Sequence, residues 1–212
     1  MVERYSSELE IIQNQPPATA GGSDDILRKI IVHIATSADG FIARKDGGID
    51  WLDRPTPKGV DYGLAAFYKS IDTILHGRKT YDVAVKFVAD GIAIPHDDRV
   101  RNYVFSRRRA PKKVLPGFEF VKEPIKKFVK QLRAQKGKDI WMMGGGDIIA
   151  SFLDAGEIDE FVINVIPVFI GEGIPLIAPR RRTVPLKLLS TRKFSDGVVQ
   201  LHYSVKQPKP TK

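Results

Sequence analysis

Cysteine is absent from all 212 residues, which excludes disulfide cross-links, thiolate zinc sites, iron–sulfur clusters and a cysteine nucleophile. Histidine is scarce: His33, His76, His96 and His202 stand far apart, without the spacing that puts a metal-binding pair on one helix. No apolar run approaches the ~20 residues of a membrane-spanning helix. The opening MVERYSSELE has neither the basic start nor the apolar stretch of a signal peptide. The expectation is therefore a cytoplasmic chain with no bound metal and no membrane contact. With 42% hydrophobic and 28% charged residues, the chain can fill the core of one substantial α/β domain.

The formal charge of +9 is unevenly spread. Residues 1–28 are acidic, with Glu3, Glu8, Glu10, Asp24 and Asp25 against Arg4 and Arg28. Residues 99–113 carry Arg99, Arg101, Arg107, Arg108, Arg109, Lys112 and Lys113 and no acid. Such a cluster fits nucleic acid or a small phosphorylated ligand. The aromatic–basic interleaving of a recognised nucleic-acid module is missing, which leaves that partner the weaker reading. Pro, Gly, Ser and Asp dominate NQPPATAGGSDD, so residues 1–28 read as an extension and linker. Residues 29–206 read as the domain and 207–212 as a flexible tail.

From Lys29 onward apolar stretches alternate with helical periods. Strands are expected at 29–36, 72–77, 102–106, 118–121, 139–143 and 160–170. Helices are expected at 61–70, where Leu64, Phe67 and Tyr68 share one face, at 123–137, which ends at Gly137, and at 147–156. The last third reads as a β-hairpin turning at Ser195-Asp196-Gly197. Strand–helix alternation followed by a hairpin implies a mostly parallel central sheet, helices on both faces and an antiparallel edge.

Three junctions carry chemistry. Trp141-Met142-Met143-Gly144-Gly145-Gly146-Asp147 runs from a strand through three glycines into a helix, so backbone can approach a ligand and free N–H groups can face an anion. The alternative is a tight turn capped by Asp147. His76-Gly77-Arg78-Lys79-Thr80-Tyr81 is a second strand–glycine–helix junction, with two cations beside the first helical turn. Ser106-Arg107-Arg108-Arg109 closes another strand with a hydroxyl and guanidiniums. Open α/β sheets bind ligands at such strand ends, and the positive charge favours a dinucleotide with an additional 2′-phosphate, hence NADPH over NADH. Elsewhere, Asp39 in Ser37-Ala38-Asp39-Gly40 is expected to cap its own turn. Trp51, in the Gly-rich Gly47-Gly48-Ile49-Asp50-Trp51-Leu52 loop, reads as a lid or stacking wall.

In this order, SADGFIA, GGIDWL, HGRKTYD, the strand–Ser–Arg junction, GGGD and PVFIGEGIPL resemble the dihydrofolate reductase-like superfamily over residues 29–205. The likeness is greatest to its riboflavin-biosynthesis reductase branch, found as the C-terminal domain of bifunctional deaminase–reductases and as stand-alone proteins. The resemblance implies that Ala35 and Ile42 lie beside the nicotinamide. Gly77, Arg78, Lys79 and Thr80 would hold the pyrophosphate and 2′-phosphate, and Ser106 and Arg107 the adenosine phosphate. Met143, Gly144, Gly145, Gly146, Asp147 and Ile148 would cradle the pyrophosphate. Trp51 matches the tryptophan of the mobile loop that closes over the nicotinamide, and Asp50 and Trp51 would contact the substrate. Asp61, 16 residues before Gly77, matches the acidic catalytic position of folate reductases, although it also suits the first turn of its helix. Met142 and Met143 replace the acidic residue that the riboflavin enzyme places beside its glycines, and its ribose-phosphate arginines have no clear match.

The resemblance implies an NADPH-dependent reductase that passes hydride to a pterin- or pyrimidine-like substrate, with 5-amino-6-(5-phosphoribosylamino)uracil the first to consider. The proton would come from Asp61, Asp50 or solvent. A non-catalytic NADP-binding protein of the same fold is the alternative, and a basic nucleic-acid-binding protein a third reading. A homodimer formed through the sheet edge is expected, with FVINVIPVFI (161–170) apolar enough for such burial.

Overall fold

A computed structural model describes residues 27–92 and 97–206. His96, the tail at 207–212 and all but the end of the expected N-terminal extension lie outside the described residues.

The strands are β1 (Ile30–Ser37), β2 (Phe41–Ala43), β3 (Ile71–Gly77), β4 (Arg101–Phe105), β5 (Phe118–Val121), β6 (Asp139–Gly144), β7 (Glu160–Ile166), β8 (Ile174–Pro175), β9 (Leu186–Lys193) and β10 (Val199–Val205). The helices are α1 (Leu64–Ser70), α2 (Arg78–Ala89), α3 (Ile125–Arg133) and α4 (Gly146–Ala155), and Asp50–Leu52 form one 3-10 turn. Eight strands make one sheet in the order β5-β4-β3-β6-β1-β7-β10-β9, and β2 and β8 form a separate pair. From β5 to β7 every neighbour is parallel; β10 and β9 are antiparallel. The mostly parallel sheet and its antiparallel C-terminal hairpin are those read from the sequence.

Strand alternation assigns the two faces. Ile30, Val32, Leu75, Ile140 and Met142 point into the main core, where α3 supplies Val129 and Leu132, and α4 supplies Ile149 and Phe152. On the opposite face Ile71, Ile74 and Trp141 meet Leu64, Phe67 and Tyr68 of α1. There Tyr81 of α2 packs edge-on to Phe118 and Phe120. Helices therefore cover both faces.

One expectation needs correction and a second needs extending. The apolar run 160–170 is strand as far as Ile166. Pro167 cannot donate to a ladder, and residues 167–173 leave the sheet as a loop. Asp39 serves its own turn through Ser37, and it also reaches a distant loop. It accepts from the Ser37 hydroxyl at 2.5 Å and from the N–H groups of Ile170 (3.2 Å) and Gly171 (2.7 Å). Those bonds, the Ser37 hydroxyl first, hold Asp39 below the usual carboxylate range and tie the loop to the end of β1.

Arg28, read as the end of the extension, is 5% exposed. Its guanidinium donates to Asp72, to Thr73 Oγ1 at 2.9 Å, and to the carbonyls of Lys138 (2.6 Å) and Leu132 (3.2 Å). One side chain thus joins β1, β3 and the entry to β6 at the end of the sheet away from the glycine junctions.

Arg28→Ala will leave Asp72 half-buried without its cation, costing about 3 kcal/mol. Urea unfolding should show a lower midpoint at unchanged slope, and an unchanged midpoint would contradict the anchoring role. A second expectation concerns pH. Burial pushes His33 and His76 down to about 4, while the unfolded residues take up protons near pH 6.5. The unfolded state binds more protons between those values, so stability is held above pH 6.5 and falls as pH drops towards 4. His76→Gln should flatten the urea midpoint against pH; an identical slope in the variant would disprove this source.

Candidate functional site

Register brings the three junctions to one edge. Gly77 at the end of β3 lies opposite Phe105 of β4, and His76 lies opposite Gly144 of β6. With strands about 4.8 Å apart, the starts of α2 and α4 and the Ser106 turn are immediate neighbours. β6 inserts between β1 and β3, so the chain changes direction here, at the kind of switch point where open sheets take ligands.

The glycines act by what they leave out. A Cβ on Gly77 would stand 3.1 Å from Ile148 Cγ2 and 3.4 Å from the Gly144 carbonyl, so bare backbone lets α2 and α4 start side by side. At Gly145 a Cβ would fall 3.7 Å from both Ile42 Cδ1 and Thr80 Oγ1. That position faces a gap bounded by β2 and α2. Gly144 has φ +113, a conformation open to glycine. Gly77 and Gly145, the N-caps of α2 and α4, make no side-chain cap, so the first N–H groups of both helices remain available.

The cations follow the same edge. Arg78 pairs with Asp82 at 2.8 Å, donates to the Arg109 carbonyl at 3.2 Å and lies over Phe120. This pins the 106–113 loop beside α2. Lys79 Nζ meets Asp147 at 3.2 Å across the two helix starts, both groups being exposed. Asp147 therefore pairs with a neighbouring cation as well as sitting in the first turn of α4. Ser106 Oγ accepts from Arg108 N at 3.0 Å. Arg107, Arg108, Lys112 and Lys113 make no ion pair among the described residues.

A second group of predicted residues lies on the α1 side of β1. Trp51 is 8% exposed, packed against Ile166, Phe194 and Val198 beside Ala35 and Tyr62. Its Nε1–H is buried without a partner. Asp50 is turned outward in a bidentate pair with Arg44 (2.6 and 2.8 Å), which holds its carboxyl below the usual range. The Asp61 carboxylate receives Gly63 N and Ala65 N, each at 2.9 Å. It caps α1, while each oxygen keeps a lone pair free. Met143 packs under α1, away from the glycine junction.

Sequence reading passed over four residues of this face. His33, Asn164 and Glu160 are buried polar groups, and Gln200 stands beside Asn164. A lone polar residue inside an apolar strand was the available signal. A concavity of about 580 Å³ lies elsewhere, at the outer strands between Asp98 and Glu119. Among the described residues no helix is long and apolar enough to cross a membrane.

Known proteins resemble this geometry. The chain is 39% identical over 177 residues to the uncharacterized protein YwjB of Bacillus subtilis (strain 168), covering 83% of this chain and 97% of that one. A crystal structure from Shewanella sp. PV-4, provisionally assigned to riboflavin biosynthesis, superposes with TM-score 0.73 at 30% identity, over 84% of this chain and 99% of that one. The dihydrofolate reductase of Enterococcus faecalis complexed with NADP(H) shares the fold, with TM-score 0.55 at 14% identity over 84% and 96% of the two chains. The model of the RibD C-terminal domain matches residues 28–200, and on that match the chain belongs to the RibD C-terminal domain family.

Proposed function

We propose that this chain is an NADPH-dependent reductase that delivers hydride to a pterin- or pyrimidine-like ring. The observation that carries the reading is the shared edge formed by Gly77, Thr80, Gly144, Gly145 and Ile148, with two uncapped helix starts and unpaired cations around it. These residues fit a phosphorylated dinucleotide: the gap at Gly145 admits backbone-close atoms, and the N–H groups suit a diphosphate.

NADPH, when bound, supplies the hydride. Gly77, Gly144, Gly145, Gly146, Asp147 and Ile148 shape the diphosphate seat with Arg78, Lys79 and Thr80. Ser106 and Arg107 take the adenosine phosphate. Ala35 and Ile42 flank the reactive end, and Met143 stands behind the glycines. Trp51, closed over Ala35 and Ile166, forms a wall at this end and excludes water. Asp61, fixed by its two backbone bonds, is the ionisable group for a substrate N–H or a proton. Orientation and water exclusion are the protein's share of the rate.

Fold and family favour 5-amino-6-(5-phosphoribosylamino)uracil as the first substrate to try, acting in the cytoplasm. The apolar run expected to bury a dimer contact is interior, because β7 lies between β1 and β10; a homodimer fits β9 instead, an exposed edge strand that presents Leu186, Leu188 and Leu189 to solvent, and such an edge invites pairing. A second reading, NADP binding without chemistry, draws on Asp61, whose oxygens already serve α1.

Calorimetric titration should show NADPH binding more tightly than NADH. Arg107→Ala should weaken NADPH by about tenfold and leave NADH unchanged. Absence of heat with either nucleotide would end the cofactor reading. Loss of reduced-nicotinamide absorbance with the aminouracil or with dihydrofolate would establish turnover. Binding without turnover across a pterin and pyrimidine panel would favour the non-catalytic reading.

A further inference from the structure

Strand register sets out two rows of side chains on the α1 face of the sheet. Ala35, Asn164 and Gln200 stand opposite one another across β1, β7 and β10, and His33, Val162 and His202 form the next row inward. Each row spans roughly 10 Å. Most of the polar groups are satisfied. Gln200 Nε2 donates to Asn164 Oδ1 at 2.9 Å and to the Tyr62 carbonyl at 2.8 Å. His202 Nε2 meets Glu160 at 2.8 Å, and Glu160 accepts from Lys29 at 2.7 Å.

His33 differs. It is 6% exposed, its ring stands 4.6 Å from that of Phe67, and its imidazole makes no hydrogen bond or ion pair among the described residues. Asp61 and His202 lie within electrostatic reach. Unlike Trp51 Nε1, its ring nitrogens are not fully enclosed, so a ligand can reach them and supply the hydrogen bonds that the fold does not.

Resting on the reductase reading above, we propose that His33 reads the substrate: its neutral imidazole pairs with the amide-like edge of a planar nitrogen heterocycle lying between Phe67 and the Ala35–Asn164 row. Neutral imidazole has one donor and one acceptor nitrogen, which matches an N–H beside a C=O. Burial keeps the ring neutral at physiological pH, with His33 pushed down to about 4. Lys29 is spent on Glu160 and Arg192, opposite Gln200 on β9, lies over Phe194, while the charged neighbours of His33 itself are Asp61 and His202, so His33 presents hydrogen-bonding edges to a ring.

The test is histidine-ring NMR of the chain alone and saturated with NADP+, with His33→Gln identifying the His33 signal. The probes are 5,6-diaminouracil, 7,8-dihydropterin and inorganic phosphate. At least one heterocycle should shift the His33 resonances, and phosphate should leave them in place. His33→Phe should weaken that heterocycle about tenfold with NADP+ affinity unchanged. Binding of NADP+ together with a His33 signal that no heterocycle moves, or that phosphate moves, overturns the assignment while the cofactor reading stands. Failure of NADP+ to bind removes the cofactor reading, and the titration of the free chain then decides His33 by the same criterion. The wild-type spectra decide the matter even if His33→Phe does not fold.

Discussion

Backbone-to-backbone approach at the start of α4 is the contact on which the ligand end of the molecule depends. A methyl group on Gly146 would fall 2.3 Å from the Pro175 carbonyl, and the Gly146 carbonyl accepts from Ala178 N at 3.1 Å. That approach lays residues 174–178 along the helix start, from which Leu176 N reaches the Gly40 carbonyl at 3.0 Å. β2 follows through its pairing with β8. Gly173 repeats the device: a Cβ there would stand 2.3 Å from the Ala43 carbonyl. Two positions without side chains therefore set Ile42 opposite Gly145 and Thr80. The gap between them is a by-product of chain packing, present without any ligand.

Much of this was legible because it is local. Alternating apolar strands and helical periods report the burial of each segment's own neighbours, and a glycine run between strand and helix reports a close turn. The partners of Arg28 and the distant partners of Asp39 were missed for the opposite reason. Asp39 answers to N–H groups 131 and 132 residues away, and Arg28 to Asp72 and the Lys138 carbonyl. No window of sequence contains both partners. Pro167 was visible, yet the apolar character of VFI after it outweighed the missing donor in the reading of 160–170.

His33 marks a further limit. In IIVHIATS a single imidazole among branched residues reads as a tolerated interruption of a buried strand. What sets it apart is the absence of a partner, which appears once β7, β10 and α1 are all in place. Trp51 behaves alike: its place on a glycine-rich loop was readable, but the stranded Nε1–H depends on Ile166, Phe194 and Val198 closing round the ring. Unsatisfied polarity is a property of the assembled face.

Charge is distributed along the same edge in a way that separates two tasks. The unpaired cations follow β4, three strands from β1 in the order β4-β3-β6-β1, or roughly 14 Å at ordinary strand spacing. The Debye length at physiological ionic strength is about 8 Å, so exposed cations on the 107–113 loop are largely screened from the α1 face of β1 and β7. A molecule reaching from one region to the other meets strong, salt-sensitive attraction for its anionic part and neutral, geometry-dependent hydrogen bonds for its ring. The first supplies affinity with little discrimination among anions. The second discriminates among rings, because a mismatched edge leaves a buried donor or acceptor unpaired and the penalty cannot be screened away.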